Sequence, residues 1–115
     1  MEMRKMTNLG IETSLLGFGC MRFPTTADGK IDEAETERMI DKAIAEGVNY
    51  IDTAYPYHEG ESERFVGKVI AKYPRDSYYI ATKFPGFDTA NMEKVEEIFE
   101  KQLEKCGVEY FDFYM

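Results

Sequence analysis

The segment Gly47-Val48-Asn49-Tyr50-Ile51-Asp52-Thr53-Ala54 decides how this chain folds. Gly47 is a natural stop for a helix, because glycine adopts the left-handed backbone at a helix C-terminus without strain. The five residues that follow are typical of a β-strand that ends in a charged side chain, Asp52. The segment therefore predicts a helix, a tight connection and a strand that opens into a loop.

The same unit recurs outward from this segment. Four strands are predicted, at residues 14–19, 48–52, 78–83 and 111–115. They begin 34, 30 and 33 residues apart, which is the length of one strand–helix unit. This alternation predicts an α/β fold with a parallel sheet and right-handed crossovers. Residues 1–13 are predicted to form a small hairpin ahead of it.

Capping and apolar spacing support three helices. Asp32 is the predicted cap of the first, with Glu35 three residues on, as in a capping box. The second begins at Ser62, and one of its faces collects the apolar residues Phe65, Val66, Val69 and Ile70. The third is predicted from about Thr89 to Cys106, with a buried face of Met92, Val95, Phe99, Leu103 and Cys106. No linker divides residues 1–115, which are predicted to be one domain or part of one.

Composition excludes several classes of function. The 115 residues include 14 Lys+Arg and 22 Asp+Glu, a net charge of −8, whereas nucleic acids and anionic membranes require clustered basic residues. No apolar run approaches the roughly 20 residues of a membrane span. Two cysteines cannot form a disulfide framework, so we expect a reducing, cytoplasmic location. His58, the only histidine, has no cysteine or second histidine beside it, which argues against a metal site.

Charged residues end two neighbouring strands of the predicted sheet. Asp52 ends the second and Lys83 the third, at the carboxyl edge where α/β folds build active sites. Because side chains alternate along a strand, we expect both on the inner face, meeting as an ion pair. Tyr57 follows five residues after Asp52 and can fold back over this edge. An adjacent ammonium lowers the pKa of a phenol, so Tyr57 beside Lys83 is a candidate general acid.

These three residues also have a purely structural interpretation. An ion pair with an aromatic neighbour occurs without any catalytic role, and each residue taken singly favours that reading.

Other candidate residues near this edge have simpler interpretations. Tyr55 has the wrong spacing and is predicted to be a packing residue. His58 is predicted to lie in a loop near the mouth of the substrate site. Gly17-Phe18-Gly19 begins like a dinucleotide fingerprint, but Arg22 stands in place of the third glycine and excludes it.

Several ordered motifs resemble those of the aldo-keto reductase family. Its first signature region is similar to residues 47–54, then Tyr57, then Glu63-Arg64-Phe65-Val66-Gly67. Ala81-Thr82-Lys83 resembles the lysine strand of the family, and residues 16–24 resemble its first strand and cofactor-facing loop. The resemblance covers nearly every residue from about Arg4 onward, which makes it far more specific than any single motif.

The resemblance implies the N-terminal part of a (β/α)8 TIM barrel, with a hairpin, four strands and three helices. It also implies NADPH-dependent reduction of aldehydes or ketones, with Tyr57 as proton donor, Lys83 tuning it and Asp52 supporting the lysine. The residues expected near the nicotinamide and its ribose are Gly19, Cys20, Met21, Arg22 and Asp52. The sequence of residues 19–24 resembles that of a bacterial branch of the family whose members carry a C-terminal iron–sulfur domain. Any iron–sulfur cluster would be bound by that domain and not by residues 1–115.

Two departures from the family pattern matter. The loop between Asp52 and Glu63 is longer than in the tightest family pattern. The family's catalytic histidine follows the fourth strand, two positions beyond Met115. A barrel of this type needs about 250 residues, and an open half leaves two sheet edges uncovered, so we expect the isolated chain to be inactive. Two other functions stay open. One is a half-barrel assembly module that pairs with a second copy or a complementary half, and the other is a non-catalytic cofactor-sensing subunit.

Overall fold

The computed structural model describes residues 1–115 as two sheets and three α-helices. The first sheet is the predicted hairpin, in which β1 (Met3–Met6) pairs antiparallel with β2 (Ile11–Ser14). Gly10 turns the chain between them at φ +67°, a backbone conformation that costs glycine little. The hairpin agrees with the prediction, except that Ser14 belongs to β2 and not to the next strand.

The second sheet is parallel, with the strand order β3, β4, β5, β6. Its strands are β3 (Phe18–Gly19), β4 (Tyr50–Asp52), β5 (Tyr79–Thr82) and β6 (Phe113–Tyr114). The register places Ile51 opposite Phe18 on one side and Ile80 on the other. The predicted parallel sheet is confirmed. All four strands are shorter than predicted, the central β4 and β5 by two residues each and the edge strands β3 and β6 by four and three.

The first two helices follow the predicted signals, except that the Glu35 carboxylate pairs with Arg38 and does not complete the capping box. The carboxylate of Asp32 accepts a hydrogen bond from the Glu35 amide at 3.2 Å and caps α1 (Glu33–Ala45). Gly47 has φ +101° and ends this helix, as predicted. The second helix, α2 (Glu61–Ile70), begins one residue earlier than predicted, after a left-handed Gly60.

The third helix differs from the prediction at its start. Residues 89–94 form 3-10 turns, and α3 (Val95–Cys106) begins only afterwards. Met92 and Val95, predicted for the buried face, are exposed. The buried residues are Ile98, Gln102 and Cys106, spaced by four. A 3-10 turn has three residues per turn instead of 3.6, so it breaks the continuity of the face that the sequence suggests.

The apolar core lies between one face of the parallel sheet and the helices. Ile51 and Ile80 are fully buried there, together with the predicted α2 face of Phe65, Val66, Val69 and Ile70. The opposite sheet face has half-exposed aromatic side chains, with the Phe113 ring centroid 5.3 Å from that of Tyr50 and 6.4 Å from that of Tyr79. None of the helices combines the length and apolar character that crossing a bilayer requires.

Candidate active site

Adjacent strands place a lysine beside an aspartate at the carboxyl edge of the sheet. Asp52 is the last residue of β4 and is in register with Ala81, two residues before Lys83. Lys83 Nζ lies 2.8 Å from both carboxylate oxygens of Asp52 and 2.8 Å from the main-chain oxygen of Thr53. The side chains are 32% and 29% exposed, so water reaches the pair. The structure brings these predicted residues together as an ion pair.

The charge of the lysine follows from its surroundings. Burial by itself lowers the pKa of the Lys83 ammonium, but the hydrogen bonds and charge of Asp52 outweigh it, with a further contribution from Tyr57. The pKa of Lys83 consequently lies above its ordinary value, and the group is an ammonium at neutral pH. Asp52 thus maintains a positive charge at the end of β5.

Tyr57 is the aromatic side chain that lies beside this charge. Its ring centroid is 5.1 Å from Lys83 Nζ, within the range of a cation–π contact. Tyr55, with the wrong spacing, is placed beside a different lysine: Lys105 Nζ on α3 lies 4.7 Å from its ring centroid. The three predicted catalytic residues Asp52, Tyr57 and Lys83 are therefore clustered, and Tyr55 is not part of the cluster.

Apart from Asp52, the predicted cofactor-facing residues lie at the end of β3 or directly after it, at the same edge of the sheet. Gly19 and Arg22 are exposed, and Met21 is 55% exposed. Cys20 is fully buried, its amide donates to the Asp52 main-chain oxygen at 2.9 Å, and burial raises the pKa of its thiol well above the usual range. Gly19, which is in register with Asp52, and the following Met21 and Arg22 therefore present accessible atoms, while Cys20 packs into the core.

The segment after Tyr57 has an unusual backbone. His58, Glu59 and Gly60 have φ values of +53°, +55° and +89°, so three consecutive residues are left-handed. The His58 Nε2 accepts a hydrogen bond from the Phe23 amide at 2.9 Å, and the two rings stack with centroids 5.2 Å apart. His58 is thus in the predicted loop, but the sequence has no signal for a contact between residues 35 positions apart.

A buried polar network lies behind β5 and was not predicted from the sequence. Glu63 and Gln102 are fully buried, and Glu63 Oε2 accepts from Thr82 Oγ1 at 2.8 Å and from Gln102 Nε2 at 3.0 Å. Lys105 Nζ lies 3.1 Å from Glu63 Oε1 and balances its charge. A sequence signal exists: Glu63 stands three residues before Val66 on the apolar face of α2, and Gln102 stands midway between Ile98 and Cys106.

Comparison with known proteins decides the family. The model of the aldo/keto reductase family matches residues 15–115. The chain belongs to the aldo/keto reductase family. This confirms the resemblance drawn from the motifs around Asp52, Tyr57 and Lys83, and it places the four parallel strands and three helices in the TIM-barrel fold of that family.

Individual relatives agree with this assignment. The aldo-keto reductase YhdN of Bacillus subtilis is 34% identical over 99% of this chain and 37% of its own length. The holo form of the aldo-keto reductase AKR11C1 from Bacillus halodurans is 31% identical, with a TM-score of 0.79 over 99% of this chain and 39% of that one. An aldo-keto reductase from Klebsiella pneumoniae in complex with NADPH shares the fold at 24% identity, with a TM-score of 0.72 over 92% and 36%. The chain spans about a third of the length of the curated relatives it matches.

Proposed function

We propose that this family member is an NADPH-dependent oxidoreductase that reduces the carbonyl group of an aldehyde or ketone to an alcohol. The observation that supports it most directly is the cluster at the carboxyl edge of the sheet. There Lys83 Nζ lies 2.8 Å from both Asp52 oxygens and 5.1 Å from the Tyr57 ring centroid. An ion pair and a phenol that are clustered at the carboxyl edge of the sheet, where α/β folds build their active sites, favour a catalytic role over a purely structural one.

In the proposed mechanism, Tyr57 donates its phenolic proton to the carbonyl oxygen of the substrate. The phenolate that remains is stabilised by the Lys83 ammonium, and water returns the proton afterwards. Asp52 orients the ammonium through two hydrogen bonds and keeps its pKa above the ordinary value. NADPH, when bound, supplies the hydride that adds to the carbonyl carbon.

The residues present fit one end of such a cofactor. A side chain built on Gly19 would meet no atom within 4 Å, so the space above β3 and next to Asp52 is open. Met21 and Arg22 follow Gly19 closely in the chain, are exposed, and would contact the nicotinamide and its ribose, while the buried Cys20 would shape the loop. The complex of the Klebsiella pneumoniae protein with NADPH supports this choice of cofactor.

A graft tests the proposal. Residues 1–115 would replace the segment that they match in the Bacillus subtilis relative, and the loss of NADPH absorbance would be followed with a simple aldehyde. We expect turnover in the graft and a fall in kcat of at least about 100-fold for Tyr57→Phe, the usual size of a lost proton donor. Tyr55→Phe is the matched control and should retain the rate of the parent. A Tyr57→Phe graft as active as its Tyr55→Phe counterpart would contradict the assignment.

The 115-residue chain by itself should not turn over. The inner face around Tyr50, Tyr79 and Phe113 is partly open to water, as is the Asp52–Lys83 pair. A reaction of this type requires a site that excludes water. Purified chain that steadily oxidised NADPH with an aldehyde, and lost that activity on Tyr57→Phe, would contradict this expectation.

We also propose a reducing, cytoplasmic location, since Cys20 and Cys106 are free and buried.

A second proposal is assembly through the same open face. Each of the edge strands β3 and β6 has a strand neighbour on one side only, and exposed or half-exposed aromatic rings lie between them. Unpaired edges and open apolar faces favour association with another sheet. Sedimentation of the 115-residue chain should therefore show a dimer or larger species. A monomer that binds no hydrophobic dye would argue against assembly.

A further inference from the structure

His58 connects two segments that carry proposed site residues. One contains Gly19, Met21 and Arg22 and ends at Phe23, and the other contains Tyr57. The Phe23 amide donates to His58 Nε2 at 2.9 Å, and the rings of Phe23 and His58 stack with an interplanar angle of 11°. Phe23 is itself anchored, since it is 6% exposed and packs edge-on against Phe65 of α2.

The backbone conformation at His58 indicates that its contact with Phe23 stabilises this turn. A residue with a Cβ rarely adopts φ near +53°, and the conformation persists only where surrounding contacts stabilise it. Glu59 follows at φ +55°, so the strain extends over two residues before Gly60 relieves it. The left-handed turn directs the chain from Tyr57 into α2 and brings the His58 ring onto Phe23.

The direction of the hydrogen bond defines the protonation state of the ring. An imidazole nitrogen that accepts a hydrogen bond carries no proton, so Nε2 is bare and the neutral ring carries its proton on Nδ1. An imidazolium has a proton on both nitrogens and cannot accept from the Phe23 amide. Protonation of His58 would therefore break the bond.

The charged environment of His58 comes from every element packed around it. His58 lines a cavity of about 630 Å³, which opens the ring to protons from solvent. The charged groups in the same cavity come from the segment before α1, from α1, from the turn and from α2, and they are Lys30, Glu33, Glu59, Glu61 and Arg64. Arg64 is paired with Glu61 at 2.5 Å and with Glu33 at 3.5 Å, so the three acidic groups and two basic groups partly compensate one another.

We propose that His58 is a positioning residue that joins the cofactor-facing segment to the Tyr57 segment, and that it does so only while its ring is neutral. Its importance for catalysis rests on the function proposed above. The link itself is a property of these 115 residues. When His58 is protonated, Met21 and Arg22 lose their connection to the Tyr57 turn.

Nuclear magnetic resonance of the 115-residue chain tests the link. Long-range nitrogen–proton correlations of the His58 ring should show the Nδ1–H tautomer in mildly alkaline solution. As the pH falls, the Phe23 amide and the Met21 methyl signals should shift together with the titration of the ring. The Nε2–H tautomer, or signals of Phe23 and Met21 that do not follow the ring, would overturn the proposal.

Three variants distinguish the effects of the hydrogen-bond acceptor at position 58, of the stacked ring at that position and of the left-handed backbone. His58→Gln retains an acceptor, so its Met21 signal should become independent of pH. His58→Phe retains the stacked ring without an acceptor, so its Met21 signal should resemble the acid form of the parent at every pH. Glu59→Gly relaxes the neighbouring left-handed residue and should titrate as the parent does. If His58→Phe fails to fold, His58→Gln still decides, because a pH-dependent Met21 signal in that variant would refute the link.

Kinetics of the grafted Bacillus subtilis protein test whether His58 positions the cofactor-facing segment. In the grafted protein, the KM for NADPH should rise as the pH falls through the titration of His58, while kcat at saturating NADPH changes less. In His58→Gln this pH dependence of KM should disappear. A graft without turnover would contradict the proposed function and leave the magnetic resonance test of the link unaffected. An unchanged KM profile in His58→Gln would contradict the role in positioning.

Discussion

Gln102 Nε2 donates a hydrogen bond to the main-chain oxygen of Lys83 at 2.9 Å, so α3 directly contacts the residue that pairs with Asp52. The same nitrogen donates to Glu63 Oε2 at 3.0 Å, and Gln102 Oε1 accepts from the Tyr114 hydroxyl at 2.6 Å. One fully buried amide thus joins β5, β6, α2 and α3. The end of β5, from which Lys83 reaches the site, depends on this side chain.

Replacing Gln102 should destabilise the chain substantially. Gln102→Leu leaves the Lys83 carbonyl and the fully buried Glu63 carboxylate without this partner, and an unpaired buried group costs about 1–3 kcal/mol. We expect a loss of about 3 kcal/mol in the free energy of unfolding, measured by urea titration. Lys101→Leu, at the adjacent exposed position, is the control and should change little. Equal effects of the two substitutions would show that the network contributes no stability.

Gly67 should tolerate no side chain. A Cβ at this position would overlap the main-chain oxygen of Cys106, where α2 crosses the end of α3. Gly67→Ala gains about 1 kcal/mol of helix propensity, but the helices must separate, so we expect a net loss of about 2 kcal/mol in the free energy of unfolding. Gly19→Ala is the control, because its Cβ would meet no atom within 4 Å. A Gly67→Ala protein as stable as the parent would contradict the close contact of the helices.

Arg75 should stabilise the pairing of β5 with β6. Its guanidinium contacts the rings of Tyr78 and Tyr110, with centroid distances of 5.0 and 3.9 Å, and donates to Asp112 Oδ2 at 2.8 Å. The same Asp112 oxygen accepts from the Ile80 amide at 2.9 Å. Arg75→Met should therefore lower the free energy of unfolding by about 2 kcal/mol in thermal or urea unfolding. Arg75→Lys should recover only part of this, since a lysine cannot reproduce the planar fork.

The contribution of the Asp52–Lys83 pair should depend on pH in a defined direction. The pKa of Lys83 is raised in the folded chain, so its stabilisation is complete below the ordinary value of 10.5. It is lost as the pH rises from there through the folded-state value. Lys83→Met should lower the free energy of unfolding by about 1–2 kcal/mol at neutral pH, less than for a fully buried pair.

The measurement that checks this is urea unfolding of both proteins over a range of pH. The difference between the parent and Lys83→Met should be constant near neutrality and should shrink in strongly alkaline solution. Lys68→Met removes an exposed partner of Glu33 and serves as the control, with little difference at any pH. A difference that grew with rising pH would contradict the raised pKa of Lys83.

Much of the fold is visible in short stretches of the sequence. Asp32 and Gly47 bound α1 because capping depends on a few adjacent residues, and the apolar face of α2 follows from helical spacing alone. The third helix departs from this pattern, because the 3-10 turns at residues 89–94 change the spacing that would have located its buried face. Ile98 and Gln102 are buried in place of Met92 and Val95.

The candidate site, like the fold, could be predicted from the sequence only in part. The sequence by itself determined that Asp52 and Lys83 would meet at one edge with Tyr57 nearby, because strand alternation and parallel pairing place the ends of neighbouring strands together. Only the tertiary structure decided that His58 would accept from Phe23 and that Gln102 would join Glu63 to Lys83. These contacts connect residues 19 to 39 positions apart through side-chain atoms. Their partners are set by how helices and loops pack, which no local pattern of residues specifies.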